Sequence, residues 1–171
     1  PPGHAALPLA AIGRQGWKPF DGKMALPLIS LEQEAFAGNV AAMMAYVKSH
    51  GVEIAPHAKT PMSTALSAAL IAAGAWGTTV ADIRQAAVLL KAGQRRLILA
   101  NEIGGPAAAR RLAALLANYP DSELHIFGDS APLAVALRHA AQSLNHLPPL
   151  LPVVPPVAGP AGTAPDSATG Q

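Results

Sequence analysis

Glu53-Ile54-Ala55-Pro56-His57-Ala58-Lys59-Thr60 is the stretch on which the fold turns. The apolar run at residues 52–55 reads as a short β-strand. Thr60-Pro61 reads as a helix start, a capping hydroxyl followed by proline at the first helical position. Lys59 then stands on a turn between strand and helix. A lysine there is either a solvated surface charge or a chemical handle, and lysine is mostly exposed in proteins. Both readings stay open on position alone.

The same plan repeats outward in both directions. Towards the N-terminus, residues 25–29 are a short apolar strand candidate, and Ser30 with Gln33 three residues on makes a capping box. Phe36, Val40, Met43, Met44 and Val47 follow at helical spacing and are expected in the core. Gly51 closes that helix as a left-handed cap. Residues 1–24 are expected to be an extended lead-in, since proline and glycine are frequent and no period is visible. Towards the C-terminus, the helix opened by Thr60-Pro61 stops at Gly74, and residues 76–80 form a strand. Asp82 caps a helix with Gln85 at the capping-box position, and Gly93 ends it. Residues 96–100 form a strand, and Gly105-Pro106 opens a helix carrying Leu112, Leu115 and Leu116 on one face. Residues 123–127 form a further strand, and Ser130 caps a last helix that fades near Leu144.

Strands alternating with helices predict an α/β fold with a parallel sheet and crossover helices. Leu97-Ile98-Leu99-Ala100 is apolar on both faces, as a helix-covered sheet requires. Two closures fit, an open doubly wound sheet or an eight-stranded barrel. Gly74-Ala75-Trp76-Gly77 precedes a strand rather than following one, so it is no phosphate or dinucleotide loop. The chain has 171 residues, enough for one domain with a sizeable core, and 51% of them are hydrophobic. A formal net charge of +2 with scattered basic residues excludes a nucleic-acid footprint. No apolar run reaches membrane-spanning length. With no cysteine there is neither a disulfide nor thiolate chemistry. Pro1 in place of methionine points to a fragment or a processed product.

In parallel sheets and barrels, functional groups collect where strands end. Here His57, Lys59 and Thr60 follow one strand, Asp82 the next, Asn101 and Glu102 the third, Asp129 and Ser130 the fourth. Thr60, Asp82 and Ser130 are explained as helix caps. Asn101-Glu102 before Gly104-Gly105 is either turn chemistry or a site. His57 alone makes no metal site, which takes three or four ligands. Lys59 has no capping role, and this weights it towards chemistry.

Pro56-His57-Ala58-Lys59-Thr60 resembles the lysine signature of the D-threonine aldolase and D-serine dehydratase family, fold-type III pyridoxal-phosphate enzymes related to the N-terminal domain of alanine racemase. Gly74-Ala75-Trp76-Gly77-Thr78-Thr79-Val80-Ala81 resembles the family's next strand, Leu99-Ala100-Asn101-Glu102 the one after, and Phe127-Gly128-Asp129-Ser130 the fourth. The resemblance implies a partial (β/α)8 barrel over residues 25–146, about its first four to five βα units. It implies pyridoxal phosphate as cofactor, with Lys59 catalytic and forming the internal aldimine and His57 beside it in the cofactor site. It implies a PLP-dependent lyase acting on D-β-hydroxy amino acids, by dehydration with deamination or by retro-aldol cleavage. A lysine amine condenses with an aldehyde only when neutral, which burial at a barrel mouth favours. Some relatives have glutamine near Ala81, which makes the dehydratase side slightly better here. The expected protein is cytoplasmic, takes a small-molecule D-amino acid, and binds neither nucleic acid nor membrane; full-length relatives form homodimers.

The chain departs from the family after Leu147. Family members run to more than twice this length, with a later phosphate cradle and a C-terminal β-domain carrying divalent-metal ligands absent here. Residues 147–171 hold seven prolines and one charge, Asp166, and read as a disordered or polyproline-like tail without a central strand. A half barrel of this kind is expected to aggregate or dimerise through its open edges. The competing readings are a non-catalytic remnant with weak or no cofactor binding and, less well matched by the lysine motif, an amino-acid racemase.

Overall fold

The computed structural model describes residues 5–128, 130–142 and 150–152. Two compact units divide the chain, residues 1–41 and 42–171. In the first, helix α1 is a single turn, Leu9–Ile12, and Gly16 and Gly22 take left-handed backbone at turns. The strand expected at 25–29 is absent, and the segment bends at Leu26 and Pro27 instead. Helix α2, Gln33–Ser49, runs across the boundary between the units. Its cap is Glu32 rather than Ser30, the carboxylate accepting from the Glu34 N–H at 3.2 Å and from the Ala35 N–H. A carboxylate supplies both the acceptor and the negative charge that a helix start favours.

The second unit holds a sheet of four parallel strands in chain order. They are β1 (Thr78–Val80), β2 (Arg96–Leu99), β3 (Glu123–Gly128) and β4 (Leu150–Pro152), and among them stand α3 (Thr64–Ala72), α4 (Ile83–Lys91), α5 (Gly105–Ala117) and α6 (Ala131–Gln142). A doubly wound sheet reverses its order at a switch point; this one does not. Right-handed crossovers that all step the same way stack their helices on one face. The core agrees. Val80, Leu97, Leu99, Leu124 and Ile126 point into one cluster with Ala86, Leu89, Leu90, Leu112, Leu116 and Leu137 from the helices. The opposite face carries Ile98, His125 and Phe127, each half-buried.

Local chemistry explains the elements. Asp82 caps α4 as expected, its Oδ1 accepting from the Gln85 N–H at 2.9 Å. Gly93 ends α4 at φ 92°, letting the Gln94 N–H reach back to Leu89 O at 3.0 Å. Gly105-Pro106 opens α5, where Ala108, Ala109, Leu112, Ala113 and Leu116 are buried. Gly77 faces Arg96 so closely that a Cβ on it would collide with the Arg96 carbonyl and lie 2.9 Å from the Arg96 Cβ.

Several expectations are corrected. Met43 is 49% exposed and only Val47 of α2 is buried. Adjacent helical positions diverge by about 100°, so Met43 cannot share the side on which Met44 lies 3.4 Å from where a Gly74 Cβ would stand. Residues 52–55 form no regular strand, because Pro56 lacks an N–H and the run is at the sheet margin. It still runs beside β1: the Trp76 N–H donates to Ile54 O at 2.9 Å, Thr79 N–H to Pro56 O at 2.8 Å and Ala58 N–H to Thr79 O at 2.9 Å. Part of the region expected to be tail, Leu150–Pro152, pairs with β3 as β4. Proline is compatible with a margin strand, where its missing donor costs no ladder bond. The rest of the tail reading lies outside the described residues. So does Asp129.

Candidate functional site

The strand-end rim is built from three successive connections. The first follows His57, whose backbone bridges in parallel to Thr79. Exposure alternates along it: His57 exposed, Ala58 4% exposed within the core cluster, Lys59 exposed. His57 and Lys59 thus flank a buried residue and are themselves open to solvent. Burial of Lys59 was expected, and the described residues do not supply it. The backbone turns sharply beyond it. Met62 N–H donates to Ala58 O at 2.8 Å, and Met62 itself takes a left-handed φ of 43°. Helix α3 consequently starts later than Thr60-Pro61 implies. Ser63 is its cap, Oγ accepting from the Leu66 N–H at 3.3 Å.

The second connection carries Asp82 and Gln85. The Asp82 carboxyl is held below its ordinary 3.8, first by the Gln85 N–H; burial pushes the other way, and the Arg84 guanidinium at 3.0 Å lowers it further. Its capping role is thus confirmed, and it is committed to the helix. Gln85 has a second role that its capping position did not announce. Its Oε1 accepts from the Ala81 N–H at 2.8 Å, and its Nε2 donates to the Lys59 carbonyl at 3.4 Å.

The third connection is local. Asn101 Oδ1 accepts from the Glu102 N–H at 3.1 Å, which is turn chemistry. Ile103 is buried beneath it and Glu102 is exposed. Ser130 immediately precedes α6. The rim thus brings His57, Lys59 and Gln85 together through backbone and side-chain contacts. Among the described residues no group of three or more histidine, aspartate or glutamate side chains is placed to hold a metal ion.

At the other end of the sheet the half-covered face carries a polar and aromatic cluster that sequence reasoning missed. Glu123 bonds His125 at 2.8 Å and pairs with Arg96 at 3.8 Å, and the Arg96 guanidinium lies 6.0 Å from the Trp76 ring centroid. The same-face spacing of Glu123 and His125 along β3 was the available signal. Conserved or not, groups at the strand starts of such folds read as structural.

Fold and rim together define a parallel α/β protein with His57, Lys59 and Gln85 at the carboxyl-end rim of sequentially ordered strands. No known family model matches the chain. It is similar to the D-threonine aldolase of Arthrobacter sp., 30% identical over 89 residues, which cover 52% of this chain and 24% of that one. It is also similar to the crystal structure of D-threonine aldolase from Filomicrobium marinum, with a TM-score of 0.70, 25% identity, and coverage of 75% of this chain and 34% of that chain. Over the matched stretch the chain is similar to these two D-threonine aldolases, and it spans about a quarter to a third of their length. No helix among the described residues is long and apolar enough to cross a membrane.

Proposed function

We propose that the chain is part of a pyridoxal-phosphate-dependent lyase acting on D-β-hydroxy amino acids, with residues 25–146 forming the first units of a (β/α)8 barrel. Sequential strand order with helices on one face supports the barrel reading over a doubly wound sheet. Both reported relatives are D-threonine aldolases, which moves the reading from dehydration towards cleavage of the Cα–Cβ bond into an amino acid and an aldehyde.

The observation that carries the reading is the place of Lys59, an exposed amine on the turn where a strand-like segment ends against β1. That placement fits the carbonyl end of the cofactor. Lys59 would be the residue that holds the cofactor through its aldehyde carbon. Pyridoxal phosphate, when bound, supplies an electron sink for bond breaking at the substrate α-carbon. His57, two residues back and likewise exposed, is assigned to the same cofactor site in this reading. Asp82 is occupied as a helix cap and stays out of the chemistry.

The exposure of Lys59 favours a second reading, in which this chain by itself captures the cofactor weakly and does not turn over. Titration with pyridoxal phosphate distinguishes the two. A visible band fixed by borohydride onto residue 59, lost in Lys59→Ala, with aldehyde released from D-threonine, supports the lyase. A weak band without product supports the second reading, and no band at all defeats both.

A further inference from the structure

Building on the cofactor reading, we propose that Gln85 is the positioning residue for Lys59, holding the lysine's backbone at the rim through its side-chain amide. The backbone ladder that fixes the lysine segment to β1 ends at Ala58, whose N–H donates to Thr79 O at 2.9 Å. Beyond that point the chain turns, and Ala58 O is taken by the Met62 N–H at 2.8 Å. Lys59 is exposed, so packing does not hold it. The partner that the structure gives its carbonyl is the Gln85 amide, at 3.4 Å.

The anchor itself is stiff. Gln85 lies in the first turn of α4, its own N–H is held by Asp82 Oδ1 at 2.9 Å, and the next residue, Ala86, is fully buried. Its orientation is also determined. Oε1 faces the Ala81 N–H at 2.8 Å and Nε2 faces the Lys59 carbonyl, and the reverse flip would set like against like at both contacts. A primary amide is the side chain that can accept from one strand-end connection and donate to the other. Glutamate lacks the donor and methionine lacks both groups. Gln85 therefore ties the connection after β1 to the lysine turn, and limits the range over which the amine can wander from a reacting carbonyl.

The test uses Gln85→Met, which keeps length and removes the amide, with Ala87→Gly as a control that weakens α4 by a similar amount through helix propensity. Losing one hydrogen bond of ordinary net strength corresponds to roughly a fivefold change. In cofactor-free protein, Gln85→Met is expected to speed amide exchange at Thr60 and Met62 by about that factor. The half-saturating pyridoxal-phosphate concentration for the borohydride-fixable band is expected to rise by roughly the same factor, while Ala87→Gly leaves both unchanged. Gln85→Met matching the wild type in either measurement, or Ala87→Gly reproducing its effects, overturns the role. A wild-type chain that gives no band overturns the cofactor reading itself, and this role with it. A wild-type band unmoved by Gln85→Met overturns the role alone and leaves that reading standing.

Discussion

The indole of Trp76 and the imidazole of His125 meet edge to face, ring centres 5.1 Å apart and planes at 83°. One residue precedes the first strand by two positions and the other lies in the third, so the contact spans the sheet. Aromatic pairs in this geometry contribute about 1 kcal/mol beyond the area they bury. A double-mutant cycle on thermal stability with Trp76→Leu and His125→Leu should show a coupling of about that size. Additive effects would mean that the rings merely adjoin.

Gly77→Ala should be strongly destabilising although it adds one methyl. The new Cβ would stand 2.9 Å from the Arg96 Cβ and closer still to the Arg96 carbonyl, in the ladder between β1 and β2. Backbone cannot yield as a flexible side-chain end does. A loss of about 1–3 kcal/mol is expected, as for other overpacked sites, and denaturant unfolding measures it. A wild-type-like midpoint would show that the strands separate freely there.

A buried polar chain links three elements. Thr78 Oγ1 donates to Gln94 Oε1 at 2.8 Å, and Gln94 Nε2 donates to Ser67 Oγ at 2.5 Å. All three residues are at most 6% exposed. Gln94→Leu strands the Thr78 hydroxyl and should cost about 1–3 kcal/mol, whereas Ser67 Oγ keeps its bond to Ser63 O at 3.1 Å. Adding Thr78→Val should recover part of that loss, because the orphaned hydroxyl is then gone. A double variant less stable than the single one contradicts this.

Acid should weaken the fold through two carboxyls. Asp82 is held low chiefly by the Gln85 N–H, and Asp121 by the Arg95 guanidinium at 2.7 Å. A carboxyl whose folded value is depressed contributes stability above its ordinary value of 3.8 and loses it as pH falls through the folded value. Stability should therefore drop below about pH 4, and Asp82→Asn with Asp121→Asn should flatten that drop. Urea midpoints measured from neutral pH downward follow it.

The alternation of strands and helices was legible because each helix carries its own punctuation. Asp82 with Gln85, Gly93, and Gly105-Pro106 all do in the structure what their residue types dictate. Thr60-Pro61 misled because a hydroxyl followed by proline is a good helix start that also suits a tight turn. The structure uses the turn, with Met62 left-handed, and defers the cap to Ser63. Glu32 as a cap was hidden behind the more conventional Ser30. Lys59 was singled out by position and by resemblance. Gln85 was seen as a capping-box residue, and its reach to the Lys59 carbonyl depends on how two distant connections come together, which no local pattern encodes. The Trp76–His125 contact was invisible for the same reason.

Every strand in this sheet lies beside its neighbour in the chain. No strand has to wait for a later one to fill a gap next to it, and each loop to be closed is short compared with the whole chain. Assembly can thus proceed in the order of synthesis, each new unit docking on a surface already laid down. Pulse-labelled refolding should find the amides of β1 and β2 protected no later than those of β3, and the opposite order would show that the sheet grows from its far side.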